Sequence, residues 1–390
     1  MRGSILFNGN VVREADFITA FRERILASNH EDPAIRASKK VVMITAAWKK
    51  NEYDESHVRA SLNAIGVPSR VESGFDVNIQ NLAVYHEFND LRAREVPLYR
   101  LYHAKQEVMI EVKRFYRRKN SGLVRLVKEQ TALLKKSFPE ATLGEVLGYP
   151  VQTSRRDLST FTPRQLQYHY ACEDLQGSMQ SLTANDAKMV DICNELDLSF
   201  QASSGVMQNP MYLEIKRRLE ERILSANSLF IFGGYVAVLY NRLNFFKLKG
   251  ALVEALRRGT NIYTVSAGSG VLCNSIILYD DFSDGEEQGI SDFEFFDNGF
   301  GVVDEVQIFP HCTDRIQTDD PDNLAYLAHR FRSTCCVGMN QDSYLLMESS
   351  RESGRRRERY TSVGEKDGVY VFDTRGRKAV RRLGEEIELP

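Results

Sequence analysis

One stretch constrains this chain more than any other, and it reads Ile262-Tyr-Thr-Val-Ser-Ala-Gly-Ser-Gly-Val-Leu-Cys273. The β-branched and aromatic residues over 261–265 predict a short buried strand. That strand stops at Ser266, and small residues follow at once. The pattern is typical of a nucleophile elbow, in which a strand turns sharply into a helix and exposes one serine hydroxyl. Thr264 stands where the usual G-x-S-x-G pattern has its first glycine, so an ordinary strand-to-helix connection is the alternative.

Length and composition indicate a globular protein with room for two structural units. The 390 residues are 43% hydrophobic and carry a net charge of -2, which does not point to nucleic acid or membrane for the chain as a whole. We find no N-terminal leader and no apolar run approaching about eighteen residues, so we expect a cytoplasmic protein without a membrane span. The six cysteines form no C-x-x-C pair, which favours reduced, buried thiols.

Strand and helix patterns divide the chain into three parts. Residues 1–89 alternate strand and helix, with 82–85 as one of the strands, and this order predicts a parallel sheet covered by helices. Residues 90–227 show helical periodicity and almost no strand signal. The sheet pattern resumes over 228–390. We therefore predict an α/β domain formed by the first and last parts, with an all-helical insertion between them.

A serine hydroxyl needs a base to take its proton, and the base is usually a histidine oriented by a carboxylate. His311 follows a predicted strand that ends near Phe309, so it could reach an elbow at the same edge of the sheet. The orienting acid could be Asp280 or Asp281 at the end of the strand over 275–279. Asp284 and Asp304 are weaker candidates for that role.

Glycines after a neighbouring strand could complete such a site. Gly233 and Gly234 end the apolar run that begins at Ser228, and glycine lets the backbone approach a ligand closely. An N–H group there would join the N–H of Ala267 to form an oxyanion hole. A tight turn is the plainer interpretation of the glycine pair.

From Ser228 to His311 the chain resembles the dipeptidase E and cyanophycinase family of serine peptidases. The residues that carry the resemblance are Ile-Phe-Gly-Gly234, Val-Ser-Ala-Gly268 and Phe-Pro-His-Cys312. The resemblance implies a three-layer α/β fold with a mostly parallel sheet, like that of class I glutamine amidotransferases. It also implies Ser266 as nucleophile, His311 as base and Asp281, fifteen residues after the serine, as the third member. Gly234 and Ala267 match the amides of the oxyanion hole.

The sequence departs from this family in its substrate pocket. Tyr235 stands where the family usually has Asn or Asp, which changes the floor of the pocket beside Gly233. Family members that resemble dipeptidase E carry arginines in the helix after the histidine, where they suit an acidic substrate side chain. The matching stretch 322–328 has none, and Arg315 or Arg330 would have to substitute.

The helical insertion has features of its own. We predict separate helices over 107–116 and 123–134, on either side of Gly122. The basic stretch 113–119 is interleaved with aromatic residues, a combination that can bind RNA, although a solvated basic face is the simpler interpretation. A second basic run, 355–359, is expected to be a surface loop. The insertion could serve as a lid, a partner-binding module or the contact of a homodimer.

The leading hypothesis is a cytoplasmic serine hydrolase that cleaves a small peptide or amide through an acyl-enzyme. Neither a metal nor an organic cofactor is expected, because no His, Cys or carboxylate spacing suggests a metal site. Two alternatives remain. One is a related acyl-transfer enzyme, although an amidotransferase would need a cysteine at the elbow. The other is an inactive scaffold whose insertion binds a protein or nucleic acid.

Overall fold

The structure is a computed structural model that describes residues 2–11, 13–72, 75–151, 161–279, 293–331, 335–352, 355–364 and 368–389. Its strands in chain order are β1 (Ser4–Asn8), β2 (Val41–Ile44), β3 (Val71–Glu72), β4 (Phe75–Asp76), β5 (Ile79–Asn81), β6 (Ser228–Ile231), β7 (Asn261–Thr264), β8 (Ser275–Tyr279), β9 (Phe293–Asn298), β10 (Val306–Pro310), β11 (Cys335–Met339), β12 (Tyr344–Glu352), β13 (Arg355–Ser362), β14 (Val369–Phe372) and β15 (Lys378–Arg381).

The α-helices are α1 (Glu14–Ala20), α2 (Arg22–Leu26), α3 (Pro33–Ser38), α4 (Ser56–Ala64), α5 (Val84–Arg94), α6 (Val96–Ser137), α7 (Leu143–Leu147), α8 (Pro163–Ser203), α9 (Pro210–Leu224), α10 (Val236–Phe245), α11 (Lys249–Arg258), α12 (Ala267–Gly270), α13 (Cys312–Arg315) and α14 (Pro321–Phe331). Two 3₁₀ segments, Ala46–Asn51 and Val206–Gln208, connect other elements.

A seven-stranded, mostly parallel sheet forms the centre of this mixed α/β protein. Its strand order is β13-β12-β1-β7-β6-β2-β5. The five strands from β1 to β5 in this order run parallel, while β12 and β13 are antiparallel to their neighbours. The apolar residues of β1, β2, β6 and β7 are fully buried, as expected for parallel strands covered on both faces. Strand β7, which leads into the predicted elbow, therefore lies in the middle of the sheet.

A second sheet carries the strand before His311. Its order is β10-β11-β14-β15, and β10 pairs in parallel with β11 so that Pro310 lies opposite Met339. The hairpin of β8 and β9 lies apart from both sheets. The residues that follow β10 and β11 therefore emerge at the same edge of the second sheet.

The long helices differ from the sequence prediction in their continuity. Residues 107–116 and 123–134 belong to one helix, α6, which has 42 residues and passes through Gly122 without a break. A helical glycine costs about 1 kcal/mol relative to alanine. Both halves of α6 pack against α8 through buried residues such as Tyr102 and Val127, and this contact outweighs the local preference of one glycine. The domain boundaries at 89/90 and 227/228 stay a prediction.

Two smaller predictions were wrong. A strand was expected over 82–85, but the strand in this region is β5, which ends before residue 82. Ala83 has a left-handed backbone (φ 54°) and turns the chain into α5. The carboxylate of Glu52 then accepts the N–H groups of Tyr85 and His86 in the first turn of α5. The basic run 355–359, expected to be a loop, is part of β13, where it pairs with β12.

Three further expectations concern the cysteines, membrane-spanning helices and metal-binding clusters. All six cysteines are buried and unpaired. Within the described ranges, no helix is both long enough and apolar enough to cross a membrane, and we find no group of three His, Cys, Asp or Glu side chains placed to hold a metal ion.

Candidate active site

Ser266 lies at a strained turn between β7 and α12. Its backbone has φ 49° and ψ -112°, a region that a residue with a side chain rarely adopts and that is enriched at functional sites. Its N–H donates to the carbonyl of Asn8, at the end of β1, with an N···O distance of 3.0 Å. The predicted strand, turn and helix are therefore present in this order, with the serine at the turn.

Two glycines allow this turn to pack against β6 and the residues that follow it. A Cβ on Gly268 would lie 2.1 Å from the carbonyl oxygen of Ile231, so no larger residue fits there. A Cβ on Gly233 would lie 3.0 Å from Cβ of Ser266 and 3.2 Å from the amide nitrogen of Ala267. The backbone after β6 therefore approaches the serine closely, and a side chain at 233 would intrude on the same space.

Thr264, the departure from the usual elbow pattern, has a structural role. Its hydroxyl lies 2.8 Å from the hydroxyl of Ser269 on α12 and donates to the carbonyl of Leu6. Ser269 in turn donates to the carbonyl of Asn8. Because both hydroxyls are fully buried, this pair ties the strand and helix of the elbow to β1. A glycine at 264 would lose that connection.

His311 lies directly after β10 and precedes α13. Its backbone is left-handed (φ 56°, ψ 41°). The turn is fixed by Asn340, whose Oδ1 accepts hydrogen bonds from the Thr313 N–H, the Thr313 hydroxyl and the Cys312 thiol, each over 2.9 Å. Sequence reasoning missed Asn340. It follows β11, the parallel neighbour of β10, and the rule that such strand ends meet at one edge could have found it.

Ser266 and His311 meet in space although they come from different sheets. The Oγ atom of Ser266 lies 2.9 Å from Nε2 of His311, which is within reach for proton transfer. The neighbouring thiol is not a competing nucleophile, because burial raises the pKa of Cys312 to about 12. A histidine nitrogen at this distance is placed to accept the proton of a serine hydroxyl.

The loop after β6 is held over the elbow by the 3₁₀ segment Ala46–Asn51. The indole N–H of Trp48 donates to the carbonyl of Gly233 over 3.1 Å, and the N–H of Tyr235 donates to the carbonyl of Ala47. Lys49, which has a positive φ of 58°, places its ammonium 3.1 Å from the ring centroid of Tyr235. No sequence pattern indicated that this segment contacts the site.

Ser266 and His311 open onto a cleft of about 680 Å³. Gly233, Gly234, Tyr235, Ala267 and Arg315 line the same cleft, so the structure brings these five predicted residues together with the serine and the histidine. Much of the remaining wall is apolar. It includes these side chains: Val11, Trp48, Phe232, Val236, Ile277, Leu278 and Ile308. Glu14, which the sequence did not suggest, joins Arg315 as a charged side chain at the wall.

The carboxylate candidates have different outcomes. Asp280, Asp281 and Asp284 lie outside the described residues. Asp304 is exposed and does not line the cleft. Arg330, considered as a substitute for the family's arginines, is buried between helices and contacts Asp186 of α8 over 3.3 Å and the Tyr326 hydroxyl over 2.8 Å. Arg330 is therefore part of the helix packing and not of the cleft.

A match to a known protein family agrees with this geometry. Residues 192–352 match the model of Peptidase family S51. The match confirms the resemblance to dipeptidase E and cyanophycinase over this stretch, which begins within α8 and includes both Ser266 and His311. A peptidase, and thus a hydrolase, is the class of enzyme that a family S51 region indicates.

Comparison with other proteins adds little beyond the family. No curated protein sequence matches this chain. Among solved structures, the chain is similar to one described as a peptidase from an acI-B1 Actinobacterium, with 13% sequence identity and a TM-score of 0.46. That similarity covers 100% of this chain and 97% of the other.

Proposed function

We propose that this family S51 protein is a serine peptidase that cleaves short peptides through an acyl-enzyme. The observation that carries the proposal is the distance of 2.9 Å between Ser266 Oγ and His311 Nε2 at a strained elbow. A serine held in a costly backbone conformation beside a histidine is an arrangement that folding alone does not require.

The proposed reaction runs in two stages. The Ser266 oxygen attacks the substrate carbonyl carbon while Nε2 of His311 takes the hydroxyl proton, and the carbonyl oxygen becomes an oxyanion. The tetrahedral intermediate then expels the amine, which leaves with the proton from His311. Water attacks the resulting ester, His311 takes its proton, and the acid product leaves as Ser266 recovers its hydrogen.

Two further groups complete the proposed machinery. The N–H of Ala267 is at the first position of α12, where a helix supplies no internal acceptor, and we assign it to the oxyanion together with the N–H of Gly234. Gly234 has a positive φ of 128°, which a residue other than glycine would adopt with strain. On the family resemblance, we assign Asp281 as the carboxylate that orients His311. An aspartate there would hold the imidazole in the tautomer that accepts at Nε2.

The same resemblance supports a fold of the class I glutamine amidotransferase type for the sheet. The central parallel strands and the elbow after β7 fit it. The helices from α6 to α8 would then be an addition to that fold. We keep residues 90–227 as the proposed insertion, although α9 packs into the same core as the sheet.

The cleft favours a peptide with an apolar side chain over an acidic one. Tyr235, held by Lys49, and Trp48 present aromatic surface beside the serine. Arg315, one turn after His311 in α13, is the basic group placed to bind a carboxylate. We propose that Arg315 binds the carboxylate of a short peptide and that the apolar wall receives a neutral side chain.

Reaction with a fluorophosphonate probe tests the proposed nucleophile. We expect the wild type to be labelled on one serine, and Ser266→Ala and His311→Ala to lose the label. Ser275→Ala is the matched control, because Ser275 lines the same cleft without contacting His311. Labelling that persists in Ser266→Ala would contradict the proposal and point to a different reactive serine. A folded wild type that never reacts would contradict it and favour an inactive homologue.

A panel of dipeptides tests the substrate class. We expect turnover of dipeptides with neutral apolar residues to exceed that of aspartyl dipeptides. Arg315→Gln should raise KM for these peptides more than it lowers kcat, because the carboxylate contact is made in both the ground and transition states. A preference for aspartyl peptides would refute the proposed role of the apolar wall.

A further inference from the structure

The outer face of α6 carries an apolar stripe that the described part of the chain leaves exposed. Its members are Leu101, Val108, Phe115, Leu126 and Leu133, which are between 40% and 62% exposed. Successive members are seven or eleven residues apart, and these intervals make about two and about three helical turns. All five therefore lie along one side of the helix. We call them the α6 stripe.

The α6 stripe is separate from the side of the helix that contacts α8. That contact uses another set of residues, including Tyr102, Met109 and Tyr116, which are less than 10% exposed. Helix α6 is thus apolar on two faces, whereas a helix with one buried face normally presents polar residues elsewhere. The neighbouring α8, with 41 residues, exposes two large hydrophobic side chains, Tyr170 and Leu198. A row of exposed apolar side chains along one side of a helix is a candidate interaction site.

The spacing of the α6 stripe is self-complementary. Leu101 and Leu133 lie equally far from position 117, and so do Val108 and Leu126. An antiparallel two-fold pair of helices places residues that are equally far from the axis opposite each other. We propose that α6 pairs antiparallel with the same helix of a second copy, with the two-fold axis near position 117. Each outer leucine then packs on a leucine of the other copy.

Charges beside the α6 stripe fit the same register. Glu107 and Arg125 are both exposed and lie on the same flank of the stripe. They are nearly equally far from position 117, so the antiparallel pair brings each Glu107 to Arg125 of the partner subunit. Near the axis Arg114 and Arg118 come together, but Glu111 already forms an ion pair with Arg114 in its own helix. Opposite charges at the flanks therefore favour this register, and they must outweigh the like charges that the basic stretch 113–119 brings to the axis.

The size of the contact is sufficient for a specific dimer. From Leu101 to Leu133 the stripe is about 48 Å long, and a helix with its side chains is about 10–12 Å wide. The two copies together would bury about 1,000 Å², which reaches the lower limit for specific protein interfaces. This dimer contact does not depend on the proposed peptidase activity, because none of its residues lines the catalytic cleft.

Measurement of mass in solution tests the α6 dimer. We expect light scattering or sedimentation of the full chain to show a dimer, and Phe115→Lys to raise its dissociation constant at least about 100-fold, because it adds two positive charges to the basic residues at the axis. Leu198→Glu is the matched control, since Leu198 is 65% exposed on α8 outside the stripe, and it should leave the dimer intact. A wild type that is monomeric at all concentrations would overturn the proposal and leave the stripe to a different partner. A dimer that is indifferent to Phe115→Lys would overturn it as well.

Charge reversal tests the register. Glu107→Arg and Arg125→Glu should each raise the dissociation constant about tenfold, because the pair occurs twice in a two-fold dimer. The double variant should recover most of the wild-type affinity. Single variants that weaken the dimer without recovery in the double variant would refute the antiparallel register. Labelling of Ser266 in the Phe115→Lys monomer would show that the catalytic proposal stands or fails separately.

Discussion

Replacement of Gly233 by alanine tests whether the close approach of the loop after β6 to Ser266, the proposed nucleophile, matters for activity. The added Cβ would lie 2.7 Å from the carbonyl oxygen of Val265 and 3.0 Å from Cβ of Ser266. Both sides of this contact are fixed by backbone hydrogen bonds, so the turn at Ser266 or the loop must shift. A displacement of about 1 Å at a reacting group costs about 100-fold in rate. We therefore expect kcat/KM to fall about 100-fold, which corresponds to about 2.7 kcal/mol.

The assay compares peptide turnover, or the rate of fluorophosphonate labelling, in this variant and in Gly270→Ala. Gly270 belongs to the same elbow and lines the same cleft, but a Cβ there meets nothing within 4 Å. We expect Gly270→Ala to keep its rate within about twofold and to be slightly stabilised, because alanine is the better helix former. Thermal unfolding separates a local shift from general loss of structure. Wild-type activity in a folded Gly233→Ala protein would refute the argument.

Three other predictions follow from the same contacts. Asn340→Ala should lower kcat about 100-fold with little change in KM, because the turn at His311 loses three hydrogen bonds. Asn340→Asp keeps the acceptor oxygen and should retain most of the wild-type kcat. Equal effects of Asn340→Ala on kcat and KM would count against this positioning role. Ser269→Ala should lower the free energy of unfolding by about 0.5–1.5 kcal/mol in a denaturant titration, because it removes one buried hydrogen bond to the Asn8 carbonyl, which keeps the Ser266 N–H as a donor. An unchanged midpoint would show that this bond is unimportant. Burial raises the pKa of the Glu52 carboxyl above its ordinary value of 4.5, so protonated Glu52 stabilises the fold below pH 4.5 and this stability is lost as the pH rises through the raised pKa. The melting temperature of the wild type, measured relative to Glu52→Gln, should therefore fall with rising pH. A difference that stays constant with pH would contradict the shift.

The strand and elbow patterns were predictable because they are local. The buried runs of β1, β2, β6 and β7 are too apolar and too short for other elements, and Ser266 is followed by residues small enough for a tight turn. His311 was predictable for a related reason, since it follows a strand, and strand ends gather at one edge of a sheet. These predictions need neighbouring residues in the chain and a general rule of sheet geometry.

The helices show where local reasoning fails. Gly122 reads as a break because a glycine disfavours a helix by about 1 kcal/mol, yet α6 continues through it. The prediction of a strand at 82–85 fails because of a similar tertiary contact. The buried Glu52, which is distant in the chain, accepts N–H groups in the first turn of α5. In both places a tertiary contact is worth more than the preference of a short segment.

By itself the sequence pointed to a peptidase and to the serine and histidine that the structure places 2.9 Å apart, because a tight turn and a strand end leave recognisable residues in the chain. Only the tertiary structure decided that Asn340 fixes the turn at His311, that Trp48 holds the Gly233 loop, and that α6 has an exposed second face. These contacts join residues far apart in the chain, and many different residue pairs could supply each of them. Their identity depends on how the sheets and helices pack, which no local pattern specifies.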